Sequence, residues 1–229
     1  MTSFLTVKEE YSETTVVTRS EFLTIVRHVG SEEETFAALA EIRKKYSDAT
    51  HVCYAAIFDR SGYAARFSDD GEPSGTAGQP IMEALKASGL RETLVAVVRW
   101  FGGIKLGAGG LVRAYSSAAS SAIKNARVVR FELCDVYELW LDFARAKKFT
   151  AAAARLPLRI IGTDYSDRVR FTLAAENGLE ITAAVADAIG AKPDVDKLET
   201  RFIERPETEK RPIDNIRADI TQSARKDKK

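Results

Sequence analysis

"TLVAVVRWFGGIKLGAGGLVRAYSSAASSAIKNA", residues 93–126, reads as a strand, a glycine-rich turn and a helix. The opening "TLVAVVRWF" is apolar enough for a strand buried on both faces. Beyond the glycines, Leu111, Ala114, Tyr115, Ala118, Ala122 and Ala126 trace one helical face. Arg113, Ser117, Ser120 and Lys124 fall on the other. The small residues of the apolar face let such a helix lie close to a sheet.

From Thr93 through Phe131 there is no Asp or Glu, while Arg99, Lys105, Arg113, Lys124, Arg127 and Arg130 all fall inside that window. The 229-residue chain as a whole is nearly neutral, with 34 Lys and Arg against 33 Asp and Glu. Any positive field is therefore local. Gly102, Gly103, Gly107, Gly109 and Gly110 make a backbone that a ligand can approach closely. Gly109 and Gly110 stand where the helix should begin, a place that favours an anion. Trp100 and Phe101 offer a stacking surface. These residues, with Arg99, Lys105 and Arg113, form a candidate site for a phosphate-bearing polymer. The alternative is that the glycines only make turns and the cations are solvated or paired with acids of a neighbouring loop.

That neighbouring loop is "SDDGEPSGTAGQP", residues 68–80. Asp69, Asp70 and Glu72 could hold a hard cation or act as acid and base, or could shape a turn and pair with Arg66, Arg99 or Lys105. Three acids in a turn have no diagnostic metal spacing, so no metal is expected. Ser74, Gly75, Thr76 and Gly78 could expose backbone donors as an anion nest, or cap the helix expected over 77–88. Thr76 and Gln79 have capping-box spacing, and Gly89 can close the helix in a left-handed turn.

Elsewhere the patterns are structural. "FLTIVRHV", residues 22–29, reads as a strand, and Ser31 with Glu34 opens a helix through Leu39 and Ile42. Residues 51–70 read as two strands joined by a turn at 59–62. Cys53 and Cys134 are isolated small residues in apolar surroundings. His51 reads as a hydrogen-bonded strand histidine with no nucleophile beside it. No phosphate-loop, dinucleotide or nucleophile-elbow motif occurs, and neither a catalytic residue nor a cofactor is expected. The chain shows no secretory leader and no apolar run long enough for a membrane span, so a cytoplasmic protein without membrane contact is expected.

A second unit follows. "VYELWLDF", "ARAKKFTAAAARL", "LRIIGTDYSDRVRFTLAA", "NGLEITAAVADAI" and "DKLETRFIE" give the order βαββαβ of a ferredoxin-like domain. The expected division is an N-terminal domain over 1–133, a ferredoxin-like domain over 134–205 and a disordered, charged tail over 206–229.

"FSDDGEPSGTAGQPIMEAL" followed by "VVRWFGGIKLGAGGLVRAYSSAA" resembles the IMPACT/YigZ family in its bacterial two-domain form. The resemblance implies an α+β protein. Its N-terminal α/β domain is expected to be like the second domain of a small-subunit ribosomal protein, ahead of the ferredoxin-like unit. It also implies a regulator associated with translation, binding RNA or the ribosome through the basic glycine-rich loop. Glu21 and Trp100 depart from the family pattern, where a basic residue and a tyrosine are common. Two other readings stay open: a module that binds a protein partner through the C-terminal domain, and an enzyme acting on a phosphorylated small molecule.

Overall fold

A computed structural model describes residues 2–205. It divides into two compact units, Phe4–Arg130 and Phe131–Arg205, the latter joined by the first residues of the chain. The charged tail expected from 206 lies outside the described residues.

The first unit runs β1 (Ser3–Val7), β2 (Tyr11–Val17), β3 (Ser20–His28), α1 (Glu32–Lys45), β4 (His51–Ile57), β5 (Ala65–Ser68), α2 (Gly78–Ser88), β6 (Thr93–Trp100) and α3 (Gly107–Asn125). Its five-stranded sheet has the order β2-β3-β6-β4-β5, with every pairing antiparallel. β6 lies at the centre and is buried from Thr93 through Arg99. The strand period of two sends its side chains alternately to two cores. Val95 and Val97 join Phe22, Cys53 and Ala55 under α2 and α3. Leu94, Ala96 and Val98 join Ala38, Leu39 and Ile42 of α1 on the other side.

Helix starts and stops follow local chemistry. Ser31 Oγ accepts the backbone N–H of Glu34 at 3.1 Å and so caps α1. Gly89 ends α2 at φ 75°, in the left-handed region. The capping box expected at Thr76 and Gln79 does not form, because α2 begins one residue later with Ala77 as N-cap and no side-chain bond from it. The expected apolar face of α3 is buried from Leu111 through Ala126.

The second unit follows β7 (Val128–Leu141), α4 (Phe143–Ala152), β8 (Leu158–Tyr165), β9 (Val169–Glu176), α5 (Thr182–Ile189) and β10 (Asp194–Glu204). Strand pairings give the order β10-β7-β9-β8, antiparallel throughout, which is the ferredoxin-like arrangement. Leu139, Phe149, Leu173 and Ile181 make its core. β7 begins at Val128 and runs unbroken through the point where the two units divide. Both cysteines are free and buried. Among the described residues no helix is long and apolar enough to cross a membrane.

Candidate nucleic-acid interface

Arg99 sits on the same face of β6 as Val95 and Val97, so its side chain enters the core beneath α2 and α3. It is 4% exposed. Its Nη1 donates to Glu72 Oε1 at 2.5 Å, and its Nη2 donates to Ser20 Oγ at 3.2 Å. Tyr115 of α3 donates its hydroxyl to the same Glu72 oxygen at 2.7 Å. The Cys53 thiol donates to the Asp69 carbonyl oxygen at 3.0 Å and lies 3.4 Å from the Tyr115 hydroxyl. Burial pushes the Cys53 thiol up to about 12. The Tyr115 phenol also rises, through burial and then the neighbouring Cys53 and Glu72. Both stay protonated at neutral pH. Donors and acceptors thus meet in a dry network that joins the acidic loop to the exit of β6.

Each of the three carboxylates of the acidic loop is held by donors of the protein. Asp69 Oδ1 accepts the backbone N–H groups of Ala77 and Gly78 at 2.9 and 2.8 Å, and its Oδ2 accepts that of Gly75 at 2.8 Å. Partial burial pushes this carboxyl up, but the three donors outweigh it and hold it below its ordinary value. Of the residues expected to form an anion nest, Ser74, Gly75, Thr76 and Gly78, the N–H groups of Gly75 and Gly78 donate to Asp69 alongside that of Ala77, whereas Thr76 N–H donates to the Pro73 carbonyl oxygen at 3.0 Å. Asp70 accepts from Val52 N at 2.7 Å and from Arg43 at 3.2 Å, and its carbonyl oxygen accepts from His51 Nδ1 at 2.8 Å. Gly78 answers to close packing, since a Cβ there would lie 2.7 Å from the Ser68 backbone carbon. Among the described residues no group of three or more His, Cys, Asp or Glu is placed to hold a metal.

Above the network the surface changes character. Phe101 is 45% exposed. Lys105, Gly103, Gly107, Gly109 and Arg113 are exposed too, with Gly102 and Gly110 half-buried. The β2–β3 turn is Thr18–Arg19, both with positive φ, 47° and 66°. Its backbone presses on Gly102, where an added Cβ would lie 2.0 Å from the Arg19 carbonyl oxygen. Glycine at 102 therefore brings the exposed Arg19 beside the loop. Among the described residues no carboxylate pairs with Arg19, Lys105 or Arg113.

The Impact N-terminal domain model matches residues 18–123, a span that holds the turn, the acidic loop and the glycine-rich loop. The IMPACT family member YvyE of Bacillus subtilis is 35% identical over 76% of this chain and 80% of that protein. The IMPACT family member YigZ of Escherichia coli is 34% identical over 75% of this chain and 86% of that protein. The chain belongs to the IMPACT family. A crystal structure of a hypothetical protein, 30% identical, superposes over 87% of this chain and 98% of that one with a TM-score of 0.58.

Within this IMPACT family chain the structure redistributes the expected site. Arg99 is withdrawn from solvent and neutralised by Glu72, so it cannot meet a ligand phosphate in this conformation. Trp100, one residue on, faces the α1 side. It is half-buried, donates Nε1–H to Asp48 at 2.9 Å, and packs edge-on to Tyr46 at 5.8 Å. Lys105, Arg113, Phe101 and the glycines remain at the surface, and Arg19 joins them. Sequence reading missed Arg19 because 80 residues of chain separate it from Arg99.

Proposed function

We propose that the protein binds RNA, within the translation-associated role that its family resemblance implies, through the surface formed by Arg19, Lys105 and Arg113. The observation that carries this reading is the set of exposed cations left, among the described residues, without carboxylate partners around a glycine-rich backbone. Fixed positive charge of this kind takes up phosphates and releases their counterions, so binding weakens steeply with salt. The acidic loop supports the reading because donors of the protein hold Asp69, Asp70 and Glu72. It does not support a metal-dependent enzyme, because Asp69, Asp70 and Glu72 are each held by protein donors.

The test is RNA binding and ribosome co-sedimentation at several salt concentrations. The triple variant Arg19→Ala/Lys105→Ala/Arg113→Ala should bind more weakly. Its slope of log affinity against log salt should flatten by about 0.7–0.9 for each phosphate contact removed. A triple variant that matches the parent protein in affinity and slope sinks the proposal.

A further inference from the structure

The side chain two residues beyond Arg99, Phe101, bears on the choice of ligand. The Arg99 guanidinium carbon lies over two rings, Phe22 at 5.3 Å and Phe101 at 5.6 Å. Phe22 is fully buried, whereas Phe101 is 45% exposed. Glu72 and Ser20 fix the guanidinium from the side. Phe101 is fixed at its own backbone as well, since its N–H donates to Thr50 Oγ1 at 3.0 Å. An aromatic ring therefore lies against a buried, hydrogen-bonded cation with much of its surface left to solvent. Ile104 and Val112, in the same loop and at the start of α3, are 42% and 38% exposed. Arg19, Lys105 and Arg113 supply the positive charge.

An exposed ring, exposed apolar side chains along the same segment, and cations without a carboxylate partner among the described residues complement the two faces of a single-stranded polynucleotide, its bases and its phosphates. A continuous duplex keeps its bases stacked on one another and offers phosphates without a free base face. We infer that the surface takes unpaired RNA, with Phe101 as the platform on which one base stacks and Arg19, Lys105 and Arg113 as the phosphate contacts. Arg99 is then a positioning residue that holds Phe101 and never touches the ligand. This inference rests on the RNA-binding reading above.

The test compares an unstructured 12-nucleotide RNA with a blunt RNA duplex of matched length, by fluorescence anisotropy at two salt concentrations. Phe101→Ala should weaken binding to the single strand about ten-fold or more while leaving its salt slope unchanged. Duplex binding should be weaker at the outset and insensitive to the substitution. Phe101→Trp should restore single-strand affinity, whereas Phe101→Leu, which keeps apolar packing without a π face, should not. If Phe101→Ala disturbs folding, as seen in its melting curve, the Trp and Leu variants decide. Equal affinity for both RNAs with no effect of Phe101 variants overturns the inference and leaves the cationic surface standing. Failure to bind either RNA at low salt overturns both readings.

Discussion

Removing the Glu72 carboxylate should destabilise the first unit far more than removing a surface acid. Glu72 and Arg99 have side chains 4% and 5% exposed, and they meet at 2.5 Å. In Glu72→Ala the guanidinium keeps the Phe22 and Phe101 rings and one hydrogen-bond acceptor, Ser20 Oγ at 3.2 Å, with Nε already lacking a partner. Tyr115 loses its acceptor in the same step. Breaking a buried pair from one side costs about 3–5 kcal/mol, because the charge left behind is uncompensated. An exposed pair costs about 0–1 kcal/mol. Urea unfolding followed by tryptophan fluorescence measures the difference. With a slope of about 1–3 kcal/mol per molar urea, the midpoint should fall by about 1–5 M. The double variant Glu72→Leu/Arg99→Met removes both charges and should be markedly more stable than Glu72→Ala. A loss below about 1 kcal/mol for Glu72→Ala, or a double variant no better than the single one, would refute the buried-pair account.

Gly102→Ala should lower stability by about 1–3 kcal/mol, since its Cβ meets the Arg19 backbone and one of two loops must move. Thermal melting reads that loss, and Gly103→Ala, with nothing near its Cβ, is a control for strain at φ 85° rather than contact. Asp135 of β7 is held down to about 2 by Lys197, then by Thr200 and the Gly178 N–H. Its folded value lies below its unfolded value of about 3.9. Its stabilisation is therefore complete above about pH 4 and is lost as pH falls toward 2, and Asp135→Asn should flatten that acid limb. Cys53, with its thiol pushed up to about 12 and its side chain buried, should resist iodoacetamide at pH 8 in the folded protein. It should react once urea unfolds the chain, as peptide mapping would show.

Local chemistry made much of the fold readable. The Ser31 cap, the Gly89 left-handed stop and the alanine face of α3 each depend on residues within one or two turns of each other. The βαββαβ unit was readable because apolar runs alternate with helical spacing. β1 and β2 were missed, since "SETTVV" alternates too weakly in polarity to stand out before its pairing with β3 is known. The start of α2 was misplaced for a related reason. Its cap is not a near neighbour: Asp69 reaches the N–H groups of residues 77 and 78 from eight and nine positions upstream.

The site was legible as a segment and illegible in its orientation, and Arg99 shows why. Its charge argues for solvent, but its register argues for the core. Val95, Val97 and Arg99 share a face by the period of two, and β6 pairs on both sides, with Phe22 and His51 opposite Arg99. A central strand has no open face on which an arginine can turn outward, so burial wins when a carboxylate can be delivered to it. That carboxylate comes from Glu72, 27 residues earlier, carried by a loop whose shape is set by left-handed turns at Asp70 and Gly71 and by the Asp69 cap. No local pattern announces such a pairing. The consequence for function is that the residue with the most conspicuous charge in the glycine-rich stretch organises the surface from beneath. Of the residues expected to meet a ligand, Phe101, Lys105 and Arg113 are left facing outward, together with Arg19, which the sequence did not single out.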